Sequence, residues 1–245
     1  MPASPLNWAA AQRNPQSNLR LGATLALVAG AANAGGFLAV GQYTSHMTGV
    51  VSQMADQVVL GHLGLVAAGL TALLAFMLGA MTTALVVNWA RRRGLQSCYA
   101  LPVLIEAALM LLFGLMGATL QAEVSLLLPA TVLLLCFMMG LQNAVITKIS
   151  HAEIRTTHVT GLVTDMGIEL GKLLYVNRTQ AHPPVRASRS RLRAQATLLG
   201  LFFVGGVVGA WGFQRTGFLA TVPLALLLAL LAWRPLLHDL LSRRR

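Results

Sequence analysis

Long apolar runs alternate with short polar stretches along this chain. Six runs approach or exceed the ~20 residues that a helix needs to cross the ~30 Å hydrocarbon core of a bilayer. They lie near residues 21–41, 63–90, 97–118, 125–147, 196–214 and 217–233. Glycines recur inside them, among them the G-x-x-x-G pair Gly205 and Gly209, and glycines let membrane helices approach closely. The pattern predicts an all-α membrane protein with six transmembrane helices.

Two further stretches are helix-like but too polar to face lipid along their whole length. They are residues 44–61 and 156–176, and we expect each to form a short polar helix that is either re-entrant or interfacial. The second begins with Thr156 and Thr157, which are common N-cap residue types. Between and around these elements we expect a flexible cytoplasmic tail at 1–20, a single transmembrane domain at 21–235 and a basic cytoplasmic tail at 236–245.

The second polar stretch carries charges at helical spacing. Asp165 and Glu169 lie four residues apart, and paired carboxylates can serve acid–base chemistry. Lys172 follows Glu169 at a spacing that lets it neutralise the carboxylate. An amphipathic interfacial helix is therefore the favoured interpretation.

The positive charges orient the predicted helices. With six spans and a cytoplasmic N-terminus, seventeen of the eighteen Lys and Arg residues fall on the cytoplasmic side, and only Arg215 lies outside. The positive-inside rule therefore predicts that both termini are cytoplasmic. The basic loop at 178–193 orients the chain in this way, and it is also expected to attract anionic lipid headgroups.

Composition excludes several classes of protein. The chain is 56% hydrophobic and 10% charged, with a mean hydropathy of +0.68, which is too apolar for a water-soluble domain or a disordered chain. The net charge of +11 is explained by orientation, and no nucleic-acid-binding motif accompanies it. The sequence has no P-loop, H-E-x-x-H or G-x-S-x-G motif, and no metal-ligand spacing. We therefore expect no cofactor and no metal, and assign no enzymatic activity.

The two polar stretches are related in sequence. TSHMTGVVSQM at 44–54 and TTHVTGLVTDM at 156–166 share six of eleven residues. Each follows an apolar run with an Asn-Ala pair, at Asn33 and Asn143, and each precedes two further runs. The chain therefore reads as two repeats, at about 21–120 and 125–235. Because each repeat holds three spans, the second must be inverted relative to the first, an arrangement that recurs among transporters.

The sequence blocks around these pairs resemble the YoaK family, a bacterial group of multi-pass membrane proteins of unknown function. The resemblance covers about residues 20–235 and depends on AGAANAGGFLAVGQYTSHMTG and GLQNAVITKISHAEIRTTHVTG. It implies a six-span protein of the bacterial inner membrane and no established activity. Asn33 stands where an Asp is common in that family, and Val50 where an Asn often follows Thr-Gly. If the Asp carries a proton or a cation in relatives, this chain has lost that charge.

The repeated motif supplies the first candidate site residues. His46 and His158 can line a permeation path, where an imidazole donates, accepts and titrates near neutral pH, or can simply bond a facing carbonyl and fix the turn. Hydroxyls and glycines suit a helix start inside the membrane. The motif residues proposed to line the path are His46, Thr48, Gly49, His158, Thr160 and Gly161.

Four polar residues within the apolar runs complete the candidate path. Asn33, Gln142 and Asn143 can coordinate a polar solute or bond one helix to another. Glu106 lies about nine residues into the third run, where an unpaired carboxylate is costly, so we expect it to be protonated, paired or next to water. A proton-relay role is one interpretation of Glu106, and an interfacial position is the other.

The sequence thus favours a secondary transporter or channel for a small polar solute or ion. The alternatives are an intramembrane enzyme or lipid-handling protein, and a non-transporting interaction protein. A water-accessible cavity touching both motifs favours the first, a cavity open sideways to lipid the second, and a dry bundle the third. The expected partners are the bilayer, anionic headgroups, the solute and further copies in an oligomer.

Overall fold

The chain folds as a bundle of helices. The structure, a computed structural model, describes Ala9 and residues 15–119, 124–150, 156–177 and 183–242. Helices and turns make up these residues, and no strand occurs among them. The helices are α1 (Pro15–Val40), α2 (Met47–Val59), α3 (Leu63–Arg92), α4 (Ala100–Thr119), α5 (Val124–Ser150), α6 (Val159–Leu174), α7 (Arg189–Thr216) and α8 (Thr221–Ser242), with a 3-10 helix at Gly217–Ala220.

Two element ends differ from the sequence prediction. Helix α1 begins at Pro15 and not after residue 20, because proline is well suited to the first turn of a helix. Helix α8 continues to Ser242, through most of the predicted tail at 236–245. The Asp239 carboxylate holds this last part in place, since it accepts the backbone N–H groups of Gln96 (3.0 Å) and Ser97 (2.8 Å). Residues 1–8, 10–14 and 243–245 of the two predicted tails lie outside the described residues.

Several helices have the length and composition of membrane spans. Five segments qualify among the described residues: Gln16–Val40, Leu63–Arg92, Ala100–Ala118, Leu127–Ser150 and Arg189–Ser242. The last segment, of 54 residues, contains both α7 and α8. The chain reverses between them at Gly217, whose φ of 59° suits glycine. The predicted polar helices are confirmed as the separate short helices α2 and α6.

Hydrogen bonds between α1 and α5 show that these two helices run in opposite directions. Asn18, near the start of α1, donates to the carbonyl oxygen of Ile149 near the end of α5 (3.4 Å). Further along α1, the carbonyl oxygen of Leu25 accepts from Gln142 (3.1 Å), which precedes Ile149. As residue numbers rise along α1 they fall along α5, so the helices are antiparallel.

Glycines set the closest helix crossings. A Cβ atom on Gly30 would collide with the carbonyl oxygen of Phe202 in α7, and one on Gly205 would collide with that of Leu27 in α1. A Cβ atom on Gly209 would lie 2.5 Å from Ala31 Cα, so α1 and α7 run parallel. The predicted G-x-x-x-G pair therefore does face a neighbouring helix, at backbone contact distance.

The crossing of α3 and α5 has the same construction. A Cβ atom on Gly79 would collide with the carbonyl oxygen of Phe137, and one on Gly140 with that of Phe76. The Thr83 hydroxyl donates to the carbonyl oxygen of Leu141 (2.9 Å), one turn further along both helices. Helices α3 and α5 therefore also run parallel.

The ends of α4 and α7 meet, since the Phe113 and Phe213 ring centroids lie 6.1 Å apart, and α8 returns from there to the start of α4, where Asp239 bonds Ser97. The six long helices thus alternate in direction along the chain.

The apolar core lies among α1, α4, α5 and α8. Its fully buried side chains include Leu25, Met110, Phe113, Leu135 and Leu228. Helix α7 packs on α1, and α3 packs on α5. The short helices are outermost, with α2 on α3 and α6 on α7. Each short helix is therefore held by a long helix that itself packs against the other half of the chain.

Candidate functional site

The two short helices begin beside the middle of the bundle. Ser45, just before α2, donates a hydrogen bond to Asn33 Oδ1 (3.0 Å), seven residues inside the end of α1. The chain therefore leaves α1 and returns about 10 Å along it, at 1.5 Å per residue, before α2 starts. Met54 of α2 packs against Gly69 of α3. The α2 helix thus runs back outward beside α3, as a half-length helix.

Helix α6 repeats this arrangement in the second half. Thr157 donates to Asn143 Oδ1 (2.7 Å), seven residues before the end of α5. Helix α6 then packs along α7. The side-chain amide oxygens of Asn33 and Asn143 thus accept hydrogen bonds that hold the backbone just ahead of each half-length helix.

A cavity of about 710 Å³ lies between the starts of α2 and α6, and we call it the polar cavity. Its polar lining comes equally from the two halves: Asn33, Tyr43, Ser45, His46 and Thr48 from the first, and Asn143, Thr147, Thr157, His158 and Thr160 from the second. Phe76 and Phe202, the residues whose carbonyls meet the crossing glycines, lie on its wall. Six of the ten residues proposed from sequence therefore line one cavity.

The motif glycines make room for the motif histidines. His46 and His158 are the N-cap residues of α2 and α6, with nearly equal backbone angles (φ −97°, ψ 71° and φ −86°, ψ 63°). A Cβ atom on Gly49 would collide with His46 Nδ1, and one on Gly161 would collide with His158 Nδ1. Each imidazole therefore lies over the first turn of its helix, which explains the H-x-x-G spacing. Gly49 and Gly161 support the site without lining the cavity.

The electrostatics of the polar cavity favour negative or carbonyl oxygen atoms. None of its described lining residues is Asp, Glu, Lys or Arg. The starts of two helices meet there, and a helix start carries unpaired N–H donors and a partial positive charge. Asn143 Nδ2 donates to the carbonyl oxygen of Met139 (2.8 Å). Among the described residues Asn33 Nδ2 has no such acceptor, so it is available to a bound molecule.

Gln142 and Glu106 lie outside the polar cavity. Gln142 is fully buried and donates to the Leu25 carbonyl oxygen, so it joins α5 to α1 as an interhelical hydrogen bond. Glu106 is fully buried in α4, and neither carboxyl oxygen has a hydrogen-bond partner in the described part of the chain. The interfacial position and the proton-relay role considered for Glu106 both stay predictions.

Two expectations about the start of α6 are corrected. Neither Thr156 nor Thr157 is the N-cap, which is His158. Thr156 is fully buried, and Thr157 is bonded to Asn143. The Thr157 hydroxyl holds the chain before the helix and does not cap it, and the Thr156 hydroxyl has no hydrogen-bond partner among the described residues. Sequence reasoning also passed over Ser45, whose place opposite Thr157 in the repeated motif was the available signal.

The far end of α6 carries a charged contact that is separate from the polar cavity. Lys172 Nζ lies 2.8 Å from Glu169 Oε1, which confirms the predicted pairing, and the backbone N–H of Ser188 donates to Glu169 Oε2 (2.6 Å). Ser188 is the N-cap of α7. The hydrogen bond from Lys172 and that from Ser188 lower the pKa of Glu169 below its ordinary value. The carboxylate therefore joins α6 to the start of α7.

The half-helices, the crossings and the cavity belong to the stretch that a known family covers. The model of the family described as "Protein of unknown function (DUF1275)" matches residues 21–233. The chain belongs to this family. The YoaK resemblance is consistent with it, and no curated protein and no solved structure matches the chain. Membership confirms a membrane-like helical protein and supplies no reaction or substrate.

Proposed function

We propose that this protein spans the bacterial inner membrane six times, with both termini in the cytoplasm. Alternating helix directions support six crossings if α7 and α8 each cross once. The ends that meet at the contacts Asn18–Ile149 and Ser97–Asp239 lie on the side that carries Arg91, Arg92 and Arg93. That side is cytoplasmic by the positive-inside rule.

Labelling of introduced cysteines tests this orientation in intact cells. After replacement of the buried Cys98 and Cys136, a cysteine at Ser190 or Ser242 is expected to react only with permeant reagents. One at Gln121 is expected to react with an impermeant reagent added outside. External labelling of Ser190 would refute the orientation. It would also remove the expected contact between the basic loop and anionic headgroups of the inner leaflet.

We propose further that the two halves are inverted repeats. Four observations support this, each a matched pair: the Asn33–Ser45 and Asn143–Thr157 bonds, the His46 and His158 caps, the Gly30–Phe202 and Gly140–Phe76 contacts, and the Gly205–Leu27 and Gly79–Phe137 contacts. Because α1 and α5 are antiparallel, superposing the halves requires a rotation of about 180° around an axis in the membrane plane. Superposition around the membrane normal would contradict inversion.

We infer that the protein is a secondary transporter or channel for a small polar solute, with an anion or a carbonyl compound preferred. The observation that carries this inference is the polar cavity, which both motifs line at mid-length of the bundle. Two half-helix starts directed at one site are the usual construction of a midplane substrate site in transporters. The available Asn33 amide adds a hydrogen-bond donor, and the His46 and His158 side chains line the same cavity.

Solute uptake into proteoliposomes tests the inference. We expect the wild-type protein to accelerate uptake of formate or urea over empty liposomes, and not that of potassium ions. His46→Ala and His158→Ala each remove a cavity side chain and should lower the rate by about tenfold, the effect of one lost hydrogen bond of ~1.4 kcal/mol. Asp56→Asn, on the exposed part of α2, serves as the matched control.

Of two informative outcomes, the first contradicts transport and the second contradicts only the role given to the histidines. In the first, the folded wild-type protein accelerates none of these solutes. In the second, the His→Ala variants lose their fold while His46→Gln and His158→Gln, which keep a polar side chain, restore both fold and wild-type rate. The histidines would then be anchors for the half-helices.

An intramembrane enzyme receives less support. Among the described residues no three His, Cys, Asp or Glu side chains come together, and the polar cavity lacks a carboxylate. Lipid handling has one observation in its favour, an apolar groove beside the polar cavity.

A further inference from the structure

The wall of the polar cavity continues into a second, apolar depression between α1 and α7. This groove has a volume of about 490 Å³, and we call it the apolar groove. Asn33, Tyr43, Val159 and Phe202 line both spaces. A bound molecule can therefore occupy both at once, with one polar end and one apolar end.

The lining of the apolar groove is suited to an alkyl chain. Phe37 stacks on Tyr43 with ring centroids 4.7 Å apart, and this pair forms the edge next to the polar cavity. Phe203 and Val207 lie on the α7 side with 69% and 55% of their surfaces exposed. These faces belong to candidate membrane spans, so the groove is open toward the acyl chains of the bilayer.

The α1 side of the groove differs in sequence from the equivalent part of α5. Phe37 and Leu38 follow Asn33 by four and five residues, and Thr147 and Lys148 follow Asn143 by the same distances. Thr147 lines the polar cavity, and Lys148 donates to Asn88 (3.3 Å). Where the first half presents an aromatic and an aliphatic side chain, the second presents a hydroxyl and an ammonium group.

We propose that the substrate of the polar cavity is a single-chain amphipathic carboxylate, whose head lies among the half-helix starts and whose alkyl tail lies in the apolar groove. This proposal rests on the proposed function for its head site. The cavity, with its two helix starts and the Asn33 amide, favours the carboxylate. A groove of 490 Å³ is at the size of a pocket for one small ligand, ~300–1,000 Å³, and so fits one short chain better than the two chains of a phospholipid.

Binding of a homologous series measures the tail contact. The full chain in nanodiscs is titrated with acetate, butyrate, hexanoate and octanoate, with empty nanodiscs to subtract partition into lipid. In the wild-type protein the dissociation constant should fall about threefold to fourfold per added methylene, the factor for ~0.8 kcal/mol of burial. The fall should stop when the groove is full.

Two pairs of variants separate the groove from the rest of α7. A Cβ atom on Gly206 would meet only the Gly30 carbonyl oxygen at 3.8 Å, so Gly206→Leu fills the groove without breaking the crossing. Gly200 faces open space outside the groove, so Gly200→Leu is the control for this variant. Val207→Ser makes the lining polar. The adjacent Val208, 58% exposed and outside the groove, provides the control Val208→Ser. Gly206→Leu and Val207→Ser should flatten the dependence on chain length and leave acetate binding unchanged.

The outcomes separate this proposal from transport itself. The tail site is overturned if the dissociation constant of the wild type does not depend on chain length, or if that dependence is equal in Val207→Ser and Val208→Ser. This holds even if Gly206→Leu does not fold. Tighter, groove-dependent binding of a short-chain phosphatidylcholine than of octanoate overturns the single-chain substrate. Formate uptake without chain-length dependence leaves transport standing and removes the tail site. Chain-length-dependent binding without uptake of formate or urea supports the tail site and removes transport.

Discussion

Each half-helix is followed by a junction to the next long helix, from α2 to α3 in the first half and from α6 to α7 in the second. The two junctions are built from different chemistry. The first is a tight turn with Gly61 at φ 75°. There the Gln57 side chain oxygen lies 2.7 Å from Nδ1 of His62, the N-cap of α3. The second spans residues 175–188, and Glu169 accepts the backbone N–H of Ser188, the N-cap of α7.

Gln57 and Glu169 occupy equivalent places, since alignment of 44–54 with 156–166 puts them opposite each other. In both halves this residue holds the N-cap of the next helix. One half does so with a neutral amide on an exposed turn, the other with a buried carboxylate, 4% exposed, at the base of a longer basic segment. The comparison shows that the position of the contact is kept while its charge differs, and it predicts that only the second junction responds to acid through a carboxylate.

The largest effects are expected where the halves are alike. Gly49→Ala and Gly161→Ala each place a methyl group against a histidine ring, and such overpacking costs about 1–3 kcal/mol. Each should lower Tm by about 2–4 °C per kcal/mol and reduce solute uptake to a similar degree in both halves. Gly200→Ala, in open space, should leave Tm unchanged or raise it. If thermal unfolding shows Gly161→Ala to be as stable as Gly200→Ala, the two halves do not pack their histidines alike.

Next in size are substitutions at the two junctions. Glu169→Ala leaves the Ser188 N–H without its acceptor at the start of α7 and should loosen that start more than Gln57→Ala loosens α3. Glu169→Gln, which introduces the residue of the first half, should recover part of the loss. Hydrogen exchange of the first turns of α7 and α3 measures both, and equal loosening in the two Ala variants would contradict the difference.

Acidification should affect the second junction through Glu169. Because its pKa is lowered in the folded protein, the carboxylate stabilises the fold above the ordinary Glu pKa of about 4.3. That contribution is lost as pH falls from this value through the lowered pKa. Hydrogen exchange at the start of α7, corrected for intrinsic rates, should rise in this window in the wild type and not in Glu169→Gln. The same rise in both proteins would assign the response to another group.

The smallest effect is expected at Lys172. Its side chain is 36% exposed, and exposed ion pairs contribute about 0–1 kcal/mol. Lys172→Leu, which introduces the residue at the equivalent position Leu60, the C-cap of α2, should change Tm by ~4 °C or less, because the Ser188 bond to Glu169 remains. A larger drop in a thermal melt would show that the ammonium group is needed to keep the carboxylate buried.

The fold was predicted better from sequence where a residue pattern occurs in both halves of the chain than where it occurs in only one. The shared T-x-H-x-T-G motif, together with Asn33 and Asn143, was enough to place the starts of α2 and α6 at one site. Helix α1 starts before its apolar run begins, and α8 ends after its apolar run stops. Their extensions depend on a proline in a first turn and on a carboxylate that bonds Gln96 and Ser97, more than 140 residues away.

The interior amides show why the rest could not be predicted. Gln142 and Asn143 are neighbours, and both are amides in an apolar helix. Consecutive residues lie about 100° apart around a helix, so Gln142 faces α1 and bonds Leu25 while Asn143 faces the polar cavity. Which of the two directions leads to a cavity depends on how α5 packs, and that information is not local.

The glycine crossings connect helices that are far apart in the chain, and this has a consequence for biosynthesis. Gly30 of α1 meets its partner in α7, and Gly79 of α3 meets its partner in α5. A ribosome that has delivered only the first half to the membrane has therefore made α1 and α3 without the surfaces that cover them. The first three long helices must wait in the bilayer, or be held by an insertion chaperone, until translation supplies the second half. A gene cut between the halves should yield two products that are degraded when made separately and accumulate only when made together.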